Sequence, residues 1–173
     1  MATLLELIQQ NPNKLITVEK DGLIERFNYM FNVTVYMDSG NSYHRLDEGW
    51  SLVRPPLEDR ILLTLKLIDM KTHEIIQRGF IWIGVKFSLS IPAQSNWNSL
   101  FTRNLAGKLS LPYEVTTEDD DPYVIQDQSE FDGFIDQAVF VVGYQIYYGR
   151  QLKTYIKSVT THEELDAFAD PRS

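Results

Sequence analysis

The stretch Arg60–Pro92, RILLTLKLIDMKTHEIIQRGFIWIGVKFSLSIP, decides the fold. Two apolar runs rich in β-branched and aromatic residues flank a short polar interruption at Asp69–Thr72, which is the pattern of a long β-hairpin. In the second arm Ile81, Ile83, Val85, Phe87, Leu89 and Ile91 alternate with Phe80, Trp82, Gly84, Lys86, Ser88 and Ser90, the period of two that a strand imposes. The aliphatic set is the expected core face. Each of its large members is worth roughly 1.5–3 kcal/mol on burial, so six in register would anchor a small domain. Pro92 lacks a ladder donor and ends the arm.

Upstream, Thr3–Gln10 has helical spacing, with Thr3 as cap, Glu6 three residues on and an apolar stripe of Leu4, Leu7 and Ile8. Asn11-Pro12-Asn13 stops it. Lys14–Glu19 and Leu23–Met37 read as strands joined by a tight Asp21-Gly22 turn, a strong hairpin signal. Within the second strand Phe27, Tyr29, Phe31, Val33, Val35 and Met37 alternate with polar or mixed residues, as in a half-buried strand. Residues 38–58, with Ser39-Gly40-Asn41, Gly49 and Pro55-Pro56, read as a long irregular loop holding short edge strands near Tyr43 and Trp50–Val53.

Downstream, Ser95–Ala106 reads as a helix capped by Ser95 and closed by Gly107. Lys108–Thr117 returns to strand, with Pro112 at an edge or bulge. Tyr123–Ile125 fits a short strand, and Ser129–Gln137 a helical turn or two. Ala138–Tyr148 (AVFVVGYQIYY) is apolar on both faces, the pattern of a central strand, and Gly149 turns it into Gln151–Val159. Thr161 and Glu164 form a capping box for a last helix, Glu163–Ala169. These elements predict one α+β domain over residues 1–173, mainly antiparallel β, as a sandwich or partly closed barrel with short N-terminal, middle and C-terminal helices.

Composition narrows the function classes. The 173 residues are 43% hydrophobic and 12% aromatic, enough for one well-buried core. The chain has no cysteine, which excludes disulfides and cysteine-based zinc sites or catalysis. The opening MATLLELIQQNPNK lacks the regions of a signal peptide and no apolar run reaches the roughly 20 residues of a membrane span, so a non-secreted cytoplasmic protein without membrane contact is expected. A net charge of -8 argues against direct nucleic-acid binding, which needs clustered Lys and Arg.

That charge is unevenly spread. Leu109–Gly149 contains no Lys, Arg or His but holds nine carboxylates: Glu114, Glu118, Asp119, Asp120, Asp121, Asp127, Glu130, Asp132 and Asp136. Against the chain total of -8, this leaves +1 for everything else. Three readings fit an acidic loop over 118–137. It can be a solvated segment that serves solubility. It can be a contact surface for a basic partner, built from Glu118, Asp119, Asp120, Asp121 and Asp127 and met by Arg150, Lys153 and Lys157 of another copy or by another protein. It can also hold calcium or magnesium through Asp119, Asp121, Asp127 and Glu130, although the spacing of an EF-hand is missing. If copies associate through this charge, a head-to-tail arrangement is expected, since a two-fold axis would set the acidic patch against itself.

Other motifs carry less. His44, His73 and His162 lie far apart and show no metal-ligand spacing. No nucleophile elbow, phosphate loop or dinucleotide fingerprint occurs, so no catalytic residue and no cofactor is expected. Asp69 and Lys71 form a DxK fragment without its upstream carboxylate. Asn32-Val33-Thr34 is a formal glycosylation sequon. Tyr147, Tyr148 and Tyr155 interleave with Arg150, Lys153 and Lys157, an arrangement that can stack nucleotides or form an ordinary sheet face with a charged rim. The leading functional expectation is a structural or protein-interaction module that self-assembles, in the style of a viral or phage assembly component in virion or host cytoplasm. An acidic regulatory inhibitor that mimics nucleic acid is the alternative, and a small metal-dependent enzyme stands third.

Overall fold

The computed structural model describes residues 4–11, 14–27 and 51–172. In chain order these form α1 (Leu4–Gln10), β1 (Ile16–Lys20), β2 (Leu23–Phe27), β3 (Ser51–Val53), α2 (Leu57–Gln77), β4 (Phe80–Trp82), β5 (Val85–Phe87), α3 (Ile91–Leu105), β6 (Tyr113–Thr116), β7 (Pro122–Ile125), α4 (Gln128–Ser158) and α5 (His162–Asp166). The class is α+β, and among the described residues every strand pair is antiparallel. The expected predominance of sheet is not found: helical residues outnumber strand residues, and the described strands form one three-stranded and two two-stranded sheets with no closed barrel. The part of the expected Leu23–Met37 strand beyond Phe27, most of the 38–58 loop, His44 and the Asn32 sequon lie outside the described residues.

The largest correction falls on the Arg60–Pro92 stretch. Its first half is not a hairpin arm but part of the 21-residue helix α2. Leu63, Ile68, Thr72 and Ile76 are its buried positions, close to one turn apart. Glu58 and Asp59 lie in its first turn, where acids complement the helix dipole. Gly79, at φ 83, turns the chain out of the helix, and its N–H donates to the Ile76 carbonyl at 3.0 Å. Only the second half is a hairpin, and a short one. Phe80 pairs with Phe87 and Trp82 with Val85, so Ile83-Gly84 is a two-residue loop, both members at positive φ as a type I′ turn needs. The loop breaks the alternation expected across Ile81–Ile91. Phe80, Phe87 and Leu89 are buried, whereas Ile81, Ile83 and Ile91 are exposed.

The segment Ala138–Tyr148, expected as a central strand, belongs to the 31-residue helix α4, which also absorbs Gln151–Ser158. The acidic loop over 118–137 likewise resolves into a turn, strand β7 and the first part of α4. Several expected elements are found. The Asp21-Gly22 turn joins β1 to β2 with both residues at positive φ. Helix α3 ends at Gly107, φ 63, with paired bonds from Gly107 N–H to Asn104 O and Lys108 N–H to Arg103 O, the Schellman arrangement. Its start is earlier than expected: Ser90, not Ser95, is the cap, and Pro92 sits in the first turn instead of ending a strand. The Thr161/Glu164 capping box is present on α5.

The chain divides into two compact units, Met1–Leu67 with Thr154–Ser173, and Ile68–Lys153. In the first, β1 is the middle strand of the order β2-β1-β3 and buries Thr17 and Val18; Leu15, Phe27, Leu63, Ile156, Val159 and Leu165 are also buried there. In the second, the core gathers Ile76, Phe80, Phe87, Leu89, Leu100, Val115, Ile125, Phe131, Phe134, Ile135 and Ala138. Phe134 is its hub, with edge-on contacts to Phe87 at 4.9 Å, Phe80 at 5.1 Å and Trp97 at 5.1 Å. Such pairs add to area burial because ring edges meet ring faces.

Candidate functional site

The first turns of α4 are fixed by the residues that the sequence offered as metal ligands. The Asp127 carboxylate accepts from Glu130 N–H at 2.9 Å, and Glu130 reaches back to accept from Gln126 N–H at 2.7 Å. Glu130 also accepts from the Tyr123 hydroxyl at 2.5 Å. Burial, followed by the hydrogen bond to Glu130 and its charge, pushes the Tyr123 phenol above its ordinary value. Asp127 and Glu130 are thus helix-start ligands for backbone N–H groups. Glu118 is engaged too, in an ion pair with Lys86 at 2.7 Å. Asp119, Asp120 and Asp121 occupy the exposed turn between β6 and β7, with Asp120 at φ 62. Among the described residues no group of three His, Asp or Glu side chains is placed to hold a metal ion.

The expected basic contact residues all lie on α4. Lys153 donates to Asp69 at 2.5 Å, which accounts for one half of the DxK fragment, while Arg150 and Lys157 are exposed. Of the histidines, His73 lies on α2 with its ring 2.8 Å from Gln77 Nε2. His162 opens α5, where Arg60 Nη1 lies 2.9 Å from its Nδ1. Arg60 and Arg54 converge on Asp166, the latter at 2.8 Å, and hold its carboxyl below the ordinary carboxylate range, chiefly through the Arg60 hydrogen bond.

What the sequence reading missed is the outer face of α4. The inner face buries Phe131, Phe134, Ile135 and Ala138, so the residues a half-turn away look outward. There Val139 is 64% exposed, Phe140 63%, Tyr147 61% and Ile146 39%. Phe140, Tyr144 and Tyr148, one turn apart, stack in a ladder with centroids 5.9 and 6.0 Å apart. Beside this face two clefts, of about 290 and 380 Å³, share Trp97, Asn98, Ala138 and Val139; the first reaches Val142 and Gly143, the second Phe101 and Asp136. The available signal was the apolar character of Ala138–Tyr148 on both sides, which in a helix means that some of it faces water. The surface offers shape and apolar area, the chemistry of protein contact.

Compared with family models, with curated proteins and with solved structures, the chain matches none. Among the described residues no helix is long and apolar enough to cross a membrane.

Proposed function

We propose that this protein is a non-catalytic protein-interaction module that assembles with copies of itself through the outer face of α4. The observation that carries the reading is the run of large exposed side chains Val139, Phe140, Ile146 and Tyr147 on one helix. Exposed apolar residues scattered singly are ordinary, but a contiguous patch costs solubility unless something covers it. Burying such a patch gains roughly 25 cal/mol per Å² of apolar surface, the main drive of protein association. The alternative, an acidic inhibitor mimicking nucleic acid, rests on the exposed Asp119–Asp121 turn with the separate exposed carboxylates Glu114, Asp132 and Asp136, because Glu118, Asp127 and Glu130 are engaged inside the chain.

Light scattering coupled to gel filtration tests the reading. The parent shows a molar mass that rises with loading concentration through the micromolar range, and Phe140→Asp with Tyr147→Asp abolishes the rise without lowering the melting temperature measured at a concentration where the parent is monomeric. A parent that stays monomeric throughout sinks self-assembly. If triple replacement of Asp119, Asp120 and Asp121 by Asn abolishes association while the α4 substitutions do not, the acidic turn is the contact.

A further inference from the structure

Gly143 lies in the middle of α4, and a Cβ built on it meets nothing within 4 Å. Packing among the described residues therefore does not require glycine there. Gly133, on the same helix, is different: a Cβ there would come within 2.6 Å of the Trp82 ring. A glycine inside a helix carries an entropic cost relative to alanine, and it leaves the backbone open to close approach. At Gly143 no group among the described residues makes that approach, so the bare backbone there is open to one from a second chain.

The surroundings of Gly143 indicate what that group is. Val139 and Phe140 precede it by a turn, and Ile146 and Tyr147 follow it by a turn; all are exposed. Two turns before it stands exposed Asp136, and two turns after it exposed Arg150, all on one stripe at helical spacing. Burial is thus symmetric about Gly143 and charge is antisymmetric, which is the pattern that a two-fold axis through that residue satisfies.

We propose that α4 forms the two-fold contact of a homodimer, crossing a second copy of itself antiparallel at Gly143; this rests on the self-association reading above. The crossing sets Asp136 of each chain against Arg150 of the other, roughly 21 Å along the helix from its own Arg150. It also sets Val139 against Tyr147 of the second copy and lets the two backbones meet at the glycines. The cleft beside Val139 receives that Tyr147 ring. A two-fold axis opposes like charges only when the acidic groups sit on it; here they sit on either side and meet bases.

The chain has no cysteine, so Gly143→Cys introduces its sole thiol on the proposed axis. Two such thiols join only if the Cα atoms come within about 4.4–6.8 Å. Mild oxidation is expected to convert the variant to covalent dimer far faster than a control Glu74→Cys, which sits on exposed helix surface in α2. Charge exchange is the second arm. Asp136→Arg or Arg150→Glu alone weakens the dimer about tenfold, and the double variant restores it. Association that persists without cross-linking at Gly143, and is unmoved by the exchanges or not restored by the double, overturns the two-fold geometry and leaves self-assembly standing. A parent monomeric at every concentration overturns both.

Discussion

Gly133 and Gly143 place opposite demands on an added methyl group. At Gly133 the Cβ would press on Trp82, which packs edge-on against Phe134 at 6.3 Å and cannot retreat freely. Gly133→Ala is therefore expected to lower stability by about 1–3 kcal/mol, the usual cost of overpacking. Gly143→Ala meets open space and removes helix-interior glycine, so the monomer gains about 0.5–1 kcal/mol. Thermal melts at a concentration where the protein is monomeric check both signs. Ile83 gives a second contrast. It is exposed and holds φ 47, a conformation that a β-branched residue resists and Asn tolerates. Ile83→Asn raises the melting temperature, while Phe87→Ala, at a position with no exposed surface, costs about 3–5 kcal/mol. The dipeptide Ile83-Gly84 hid this turn from the sequence. Ile is a strand former, and without the usual Asn or Asp before Gly the alternation looked unbroken from Phe80 to Ile91.

At the scale of elements, α5 responds to acid. Glu164 accepts backbone N–H groups from Thr160 and Thr161, and those two bonds hold its carboxyl below the ordinary 4.5. Asp166 is held below 3.8, first by the Arg60 hydrogen bond and then by the Arg60 and Arg54 charges. A carboxylate whose folded value is depressed contributes stability that is full above its unfolded value and is lost as pH falls through the folded one. Amide exchange at Leu165–Phe168 is expected to hold steady from neutral pH down to the ordinary carboxylate range and to quicken relative to intrinsic rates below it. Exchange that quickens first toward alkaline pH contradicts this. The box itself was legible, because Thr161-x-x-Glu164 is a local signal that needs no distant partner. The long helices were not. In ILLTLKLI each residue of α2 is apolar or flanked by apolar neighbours, so periods of 2 and 3.6 fit equally well, and only length and the end signals separate them. Those signals were Glu58 and Asp59 at the start and Gly79 at the end. For α4 the corresponding signal was Asp127 with Glu130, whose carboxylates drew attention as metal ligands when their partners are backbone N–H groups.

At the scale of the whole molecule, the charge asymmetry was legible as a count, but its disposition was not. Nine carboxylates in one quarter of the chain looked like one patch. Folding disperses them: Glu114 to β6, Glu118 to Lys86, Asp127 and Glu130 to the start of α4, Asp132 to Gln128, Asp119–Asp121 to an exposed turn, and Asp136 to the stripe that carries Arg150. Arg150 and Lys153 belonged to the expected contact set, whereas Val139, Phe140, Gly143 and Ile146 were read as strand interior. A helix buries only about half its circumference against one core, so the other half of an apolar run must find a partner or face water. The claim that a second copy supplies that partner is tested most directly by hydroxyl-radical footprinting of the parent as its concentration is raised through the micromolar range. Phe140 and Tyr147 are predicted to lose reactivity together with the rise in molar mass, while Ile81, equally exposed on the β4–β5 hairpin, keeps its own. A molar mass that rises while Phe140 and Tyr147 remain as reactive as at the lowest concentration would contradict the account.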